Sequence, residues 1–197
     1  MKTNKPLIML VATALWVAAP LANATYMDTF QGLTFTFEQL SDTQLSFNIA
    51  GTPSGDWTGV QYLGAFDLKD LGLDFSTETG TANGPGAMNL LGSNSQLSAS
   101  NLDCSSATGQ AGTICFDIDP DVPLAASMTY LIDFSAPLNI SSAGPHLQIA
   151  FMDVQGGSKV GSLYSQNVGV PEPGTLVLMG IGLLGLGFSQ RKRISNR

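Results

Sequence analysis

The sequence predicts an all-β protein: an antiparallel β-sandwich, jelly-roll-like in one candidate arrangement, between an N-terminal signal peptide and a C-terminal apolar helix. Three observations lead to this prediction. Apolar and polar residues alternate with period two through the central part of the chain. Breakers rich in Gly and Pro interrupt the alternation at short intervals, among them Gly84-Pro85-Gly86, Pro120, Pro123 and Gly144-Pro145. No central stretch keeps a helical period. A length of 197 residues leaves room for one ordinary domain.

The first 24 residues are typical of a signal peptide. Two lysines near the start precede an apolar run over 7–19, and Ala22 and Ala24 form the small-x-small pattern that signal peptidase accepts. We therefore expect cleavage before Thr25 and export of the rest of the chain. A retained membrane anchor is disfavoured because the run is short for a spanning helix.

The body of the protein is expected to span 25–169. Apolar residues occupy every second position of 33–37 and 45–49, and a polar turn separates the two runs, which predicts a β-hairpin. Further strands are predicted at 60–68, 71–75, 114–118, 128–134, 147–154 and 160–164. The Gly-, Asn- and Ser-rich segment 77–100 is expected to form loops around one short helix or strand.

Charge is distributed unevenly along the chain. The body holds 14 of the 15 acidic residues but only Lys69 and Lys159 of the eight basic ones, so its net charge is −12 against −7 for the whole chain. Such a surface repels phosphate backbones, which excludes nucleic acid as a partner. Anionic polysaccharide would be repelled as well, unless divalent cations bridge the two.

Trp57 lies in a turn-rich segment between Gly55 and Gly59. An aromatic ring on an exported β-sandwich can stack on sugar rings, so a carbohydrate-binding module that uses Trp57 is an alternative function. The competing interpretation, which we favour, is that the indole caps the core near a turn.

Cys104 and Cys115 are the two cysteines of the chain and enclose ten residues. In an exported protein this predicts a disulfide, which in the chain-entropy model stabilises the fold by about 3 kcal/mol. The spacing differs from the Cys-x-x-Cys of redox-active pairs, so a structural role is expected.

Asp117, Asp119 and Asp121 alternate with other residues in an extended segment. Three carboxylates on one side of a strand could bind Ca²⁺, although the glycine and distal glutamate of an EF-hand are missing. The favoured interpretation is solvated edge residues that lead into a proline turn. We therefore expect no cofactor, with Ca²⁺ as the one candidate.

Catalytic signatures are sparse. His146 is the single histidine and begins a predicted strand, and the sequence contains no Gly-x-Ser-x-Gly motif. A zinc site is improbable with one histidine and two paired cysteines. The chain is expected not to be an enzyme, and a secreted hydrolase is the least favoured alternative.

The C-terminal segment 170–197 has three parts. Pro171, Glu172 and Pro173, followed by Gly174, form an extended motif that cannot continue a helix. An apolar run over 175–188 would rise roughly 21 Å as a helix, against about 30 Å for a hydrocarbon core. Arg191, Lys192 and Arg193 form a basic stop that prefers the cytoplasmic face.

This tail resembles the PEP-CTERM sorting signal of Gram-negative bacteria. The resemblance implies processing at the Pro-Glu-Pro motif by an exosortase, a membrane peptidase, after signal peptidase has acted at the other end. It also implies a precursor tethered to the inner membrane and a mature protein at the cell surface or in the extracellular matrix. We therefore expect a non-enzymatic surface or matrix protein associated with exopolysaccharide and biofilm. An ordinary single-span anchor is the alternative for the tail.

Overall fold

The structure, a computed structural model, describes residues 24–98, 103–104 and 112–169. The predicted signal peptide up to residue 23, and the predicted C-terminal helix and basic stop, lie outside these ranges. Within them the one helical element is a short 3-10 turn, Gly55–Trp57. No helix in this described part is long and apolar enough to cross a membrane.

The described residues form an all-β body of two antiparallel sheets. The strands are β1 Thr25–Phe30, β2 Leu33–Ser41, β3 Gln44–Gly51, β4 Tyr62–Lys69, β5 Gly80–Gly84, β6 Ala87–Leu91, β7 Thr113–Pro123, β8 Ser127–Phe134, β9 His146–Met152 and β10 Tyr164–Asn167. The six-stranded sheet has the order β1-β2-β3-β8-β5-β6, and the four-stranded sheet has the order β10-β9-β4-β7. This division differs from the eight strands of a jelly roll.

The predicted hairpin is confirmed as β2 and β3. Leu33, Phe35 and Phe37 are fully buried while the residues between them are partly exposed, as period-two alternation requires. Phe37 lies directly opposite Phe47 in the register, and the two rings stack with centroids 4.5 Å apart. The inward face of this hairpin is therefore almost entirely aromatic and aliphatic.

The inner faces of the two sheets share one core. Phe47 of β3 contacts Phe66 of β4 across the sheets with centroids 5.1 Å apart, and Phe66 in turn contacts Tyr130 of β8 at 5.2 Å. Each fully buried large apolar side chain of this kind contributes about 1.5–3 kcal/mol of transfer free energy. The layered arrangement is sandwich-like, with its core between the sheets.

A second, smaller apolar cluster lies on the outer face of the four-stranded sheet. It contains Ala65, Leu97, Cys115, Ala150 and Met152. The covering segment (92–98 with 103–104) packs over it and is tied down by the disulfide between Cys104 and Cys115, which confirms the predicted bond. This sheet is therefore buried in part on both faces.

Two sequence predictions about strands fail between β4 and β7. Residues 71–75 form turns rather than a strand, because Asp70 and Gly72 adopt positive φ angles of 60° and 76°. Leu71, Leu73 and Phe75 are nevertheless buried. A loop that packs on the core therefore shows the same apolar alternation as a strand. Segment 77–100 instead contains the hairpin of β5 and β6, and the Pro85-Gly86 pair taken as a breaker is its turn.

The predicted boundaries also fail at the edges of the sheets. β1 was not predicted, and the strand predicted at 160–164 lies mostly in a loop, since β10 begins only at Tyr164. β7 continues through Pro120, which the sequence indicated as a breaker, and ends at Pro123. It can do so because it is the edge strand of its sheet, where a missing backbone donor is tolerated.

Candidate functional sites

The two ends of the described chain meet at one corner of the body, the β1–β10 corner (25–28 with 164–169). The backbone N–H of Met27 donates to the carbonyl of Gly169 at 2.8 Å. The carbonyl of Ala24 accepts from the backbone N–H of Gln39 at 3.1 Å, so the chain is already paired at the predicted signal-peptidase site. Thr25 and the residues that precede the Pro-Glu-Pro motif therefore lie side by side.

β10 is held at this corner by buried contacts. Val168 is fully buried, and its backbone N–H donates to the carbonyl of Pro145 at 2.9 Å. The hydroxyl of Tyr164 donates to Oδ2 of Asp28 in β1 at 2.6 Å, which links the edge strands of the two sheets. Burial, followed by this carboxylate, raises the pKa of the Tyr164 hydroxyl, so it remains a donor across the physiological range.

Gly144 makes the close approach of β10 possible. Its φ of +80° lies in the left-handed region, and a Cβ atom there would overlap the carbonyl of Val168 and press on the ring of Tyr26. Glycine is therefore required at this position by the packing of Val168, the residue that follows β10. The sequence analysis treated the Gly144-Pro145 pair only as a breaker.

His146 lies in a row of polar side chains that crosses β9 and β10. Its Nδ1 contacts Oδ1 of Asn167 at 2.8 Å and its Nε2 contacts Oγ of Ser165 at 3.0 Å, while Nε2 of Gln148 donates to the same Oγ at 2.9 Å. The Asn167 oxygen can only accept, so Nδ1 is the donor in the first of these contacts. Ser165 and Asn167 were not singled out by the sequence analysis.

The order serine, histidine, amide is also that of a hydrolytic triad. Such a triad needs oxyanion donors beside the nucleophile as well. The side-chain contacts described for Ser165 are cross-strand polar pairs, which stabilise the pairing of β9 with β10 without any chemistry. The arrangement can therefore fix β10 to its neighbour.

Asp67 is a fully buried carboxylate on the outer face of β4. Its Oδ2 accepts the backbone N–H of Leu97 at 2.8 Å, and its Oδ1 has no hydrogen-bond partner among the described residues. Burial raises the pKa of Asp67 to about 6, and the Leu97 N–H together with the charges of Lys69 and His146 limits the rise. A charged residue inside the apolar run 63–68 was the available sequence signal, and it was missed.

The three aspartates considered as candidate calcium ligands border one groove, the acidic groove. It has a volume of about 380 Å³ and is lined by Asp103, Asp117, Ile118, Asp119, Pro120, Asp121, Met152, Gln155, Gly156 and Gly157. Partial burial, and then the neighbouring carboxylates, raise the pKa of Asp117. Oδ2 of Asp121 already accepts the backbone N–H of Gly156 at 2.6 Å.

The geometry of this groove offers little to a cation. No group of three or more His, Cys, Asp or Glu side chains within 24–98, 103–104 and 112–169 is placed to hold a metal ion. Asp117 and Asp119 are exposed to solvent, which is what the interpretation as solvated edge residues requires. Binding of Ca²⁺ by Asp117, Asp119 and Asp121 stays a prediction.

Trp57 is fully buried in the core, so its ring offers no face to a sugar. Its ring contacts Phe30, Phe35 and Phe151 with centroids 5.1, 6.1 and 4.9 Å away, and its Nε1 donates to the carbonyl of Ser162 at 2.9 Å. The suggestion of a carbohydrate-binding surface at Trp57 is therefore corrected, since the indole gains more from aromatic packing than from solvent. The interpretation as a core residue holds.

The remaining predicted site residues fall outside the described ranges. They are Ala22 of the signal-peptidase site, Pro171, Glu172, Pro173 and Gly174 of the sorting motif, and Arg191, Lys192 and Arg193 of the basic stop.

Comparison with known families identifies the tail. Residues 169–192 match the PEP-CTERM protein-sorting motif. The resemblance drawn from the sequence is therefore confirmed, and the motif implies an exported protein that an exosortase processes. Neither the curated proteins nor the solved structures show significant similarity to the chain.

Proposed function

We propose that this exported chain, which carries a PEP-CTERM sorting signal, is a non-enzymatic surface or extracellular-matrix protein that acts with exopolysaccharide in biofilm. The observation that carries the proposal is the position of the sorting motif. It starts at Gly169, the residue whose carbonyl accepts the backbone N–H of Met27. The cargo of the sorting system is therefore the folded acidic body itself.

The chemistry of the body supports a role in an extracellular matrix. The body contains 14 acidic residues, of which only Asp67 is buried, against two lysines. A surface of this kind remains soluble at high local concentration and attracts divalent cations, which can bridge it to anionic polysaccharide. The disulfide suits the same location, because disulfides persist in oxidising extracellular environments.

The route to the surface follows from the two terminal signals. Signal peptidase would release the N-terminus at Thr25, and the apolar run 175–188 with Arg191, Lys192 and Arg193 would hold the precursor in the inner membrane. The exosortase would then act near Pro171, Glu172 and Pro173 and free the body for the cell surface or matrix. An ordinary retained anchor would leave the body at the inner membrane.

The location can be tested by mass spectrometry of cell-surface and matrix fractions. We expect mature chains that begin at Thr25 and lack the apolar tail, whereas a Glu172→Ala precursor should stay with the membrane fraction. Recovery of an intact C-terminal Arg197 from the matrix would contradict the proposal.

The biofilm role can be tested with a strain from which the gene is deleted. We expect reduced biofilm mass and polysaccharide retention, restored by the wild-type gene and not by the Glu172→Ala gene. A Ser165→Ala gene should restore both fully, because the proposed function does not use the hydroxyl for chemistry. If Ser165→Ala failed although its protein reached the matrix in normal amount, a hydrolase would be favoured instead. If the deletion had no effect on biofilm, the proposal would be wrong.

A further inference from the structure

The folded body ends very close to the sorting motif. Val168 is fully buried and its backbone N–H is bonded to Pro145, while the carbonyl of Gly169 is bonded to Met27. In the sequence only Val170 separates Gly169 from Pro171. The chain therefore has almost no spacer between its last docked residue and the motif that the exosortase reads.

A peptidase usually binds its substrate as an extended strand, through backbone hydrogen bonds and side-chain pockets on both sides of the scissile bond. For a cut near Pro171, Glu172 or Pro173, the residues on the N-terminal side would include Val168 and Gly169. The Val168 N–H, the Gly169 carbonyl and the Val168 side chain are already engaged by the body. The same groups cannot serve the body and a peptidase cleft at the same time.

We propose that the docking of Val168 and Gly169, the two residues that follow β10, restrains processing, so that both must leave the body before the exosortase cuts. While docked, the two residues keep the cleavage site away from the exosortase, and the proposal rests on the sorting function described above. The rate of processing then scales with the fraction of molecules in which this end is released.

The sharpest test leaves the sorting motif and its flanks unchanged. Gly144→Ala would place a Cβ atom against the carbonyl of Val168 and so displace Val168 from its docked position. Gly156→Ala is the matched control, because Gly156 also has a positive φ, of +65°, but nothing lies within 4 Å of its Cβ position. The two variants share the backbone strain and differ in the effect on β10.

Processing would be followed by pulse-chase labelling of the full-length precursor in cells that carry the exosortase. For Gly144→Ala we expect cleavage to be faster than for Gly156→Ala by roughly tenfold. This is the change expected if docked molecules outnumber released ones by about ten to one and the variant removes the docked state. Glu172→Ala identifies the band that depends on the motif.

A second variant covers the case in which Gly144→Ala fails to fold. Insertion of Gly-Ser-Gly-Ser between Gly169 and Val170 leaves every described contact in place and supplies the missing spacer. We expect it to speed cleavage as well, whereas the same insertion between Gly156 and Gly157 should have no effect. An unchanged or slower rate after the Gly169 insertion would overturn the proposal, and a slower rate would mean that the exosortase binds the body.

The readout separates this proposal from the surface role. Precursor and product are measured by size, so the result does not depend on biofilm mass. A wild-type precursor that is never cut would also contradict the proposal that docking restrains cleavage. The body could still act at the membrane in that case.

Discussion

Asp67 shows at the scale of one residue how a polar group can be kept inside this body. The carboxylate is fully buried, one oxygen accepts the N–H of Leu97, and the other has no hydrogen-bond partner among the described residues. Burying a charged group with incomplete hydrogen bonding is costly, and the protein reduces the cost by favouring the protonated form. Asp67 therefore connects the covering segment to the sheet at the expense of stability at neutral pH.

This arrangement predicts a pH dependence that Asp67→Asn should remove. The folded state holds the Asp67 proton up to about pH 6, whereas the unfolded chain loses it near pH 4. The contribution of Asp67 to stability is thus fully present below about pH 4 and is lost as pH rises to about 6, by roughly 3 kcal/mol. Urea unfolding at several pH values should show this loss in the wild type and little of it in the variant.

The control is Asp42→Asn, which removes the same charge from an exposed turn. Its unfolding free energy should follow the wild type over the whole range. If Asp67→Asn and Asp42→Asn gave the same pH profile, Asp67 would not be the responsible group.

Trp57 leads to a second prediction at this scale. Because the indole is surrounded by Phe30, Phe35 and Phe151, Trp57→Ala leaves a large cavity and should lower the free energy of unfolding by about 3–5 kcal/mol. Chemical denaturation of the purified body measures it, with the exposed Met88→Ala as a control expected to change little. A loss of less than about 1 kcal/mol for Trp57→Ala would mean that the indole is not buried as described.

At the scale of elements, β7 combines three features that a strand prediction separates. It is an edge strand, it runs through Pro120 and ends at Pro123, and its Cys115 holds the covering segment through the disulfide. The edge position tolerates Pro120, because a missing backbone donor there interrupts no second row of strand pairing. The disulfide then covers part of the outer face of the sheet and protects Leu97 and Met152 from water.

The disulfide should therefore raise the free energy of unfolding of the body without being needed for the pairing of β7 with β4. When both Cys104 and Cys115 are replaced by Ala, the unfolded chain is no longer cross-linked and gains conformational entropy. The free energy of unfolding should therefore fall by about 3 kcal/mol. Denaturation of the oxidised wild type, the reduced wild type and the double variant would measure the effect. Equal stability of all three would contradict the prediction.

At the scale of the whole molecule, the body has two unlike ends. The β1–β10 corner, with Lys69 opposite His146 in the register, marks one end, and Tyr62 opposite Met152 marks the other. The acidic groove borders Met152 and Gly156 at the second end. Thr25 and Gly169, the described residues next to the two predicted processing sites, therefore lie at the end away from the acidic groove.

The meeting of the two chain ends predicts that the body tolerates circular permutation. Thr25 lies two residues from Met27, or about 7 Å along the strand, so a short Gly-Ser linker can join Gly169 to Thr25. With new ends opened between Gly156 and Gly157, the permutant should unfold cooperatively within about 2 kcal/mol of the parent. Thermal and urea unfolding measure this.

A permutant with the same linker but opened between Phe47 and Asn48 serves as the control. It interrupts β3, which pairs on both sides, and should not fold. If the first permutant also failed to fold, the ends would not lie together as described.

The sequence alone was sufficient where a local pattern carries the physical cause. The strands at 33–38, 45–49 and 128–134 repeat a buried residue at every second position, because each has one face on the core. The disulfide followed from two cysteines in an exported chain, and the sorting signal from an extended proline motif, an apolar run and a basic cluster in that order. None of these depends on what lies across the molecule.

The tertiary structure decided the properties that depend on distant residues. β1 and β10 are short edge strands that contact each other, as in the hydrogen bond from Tyr164 to Asp28. Because this contact joins distant parts of the chain, the residues of each strand alone do not predict it. Trp57 became a core residue because three rings from other elements surround it, and Asp67 became buried because the disulfide holds a segment over it. The sequence by itself determined that this protein carries a sorting signal and that it folds into sheets. Only the tertiary structure placed Met27 and Gly169 at one corner, because they meet through a contact that no local pattern encodes.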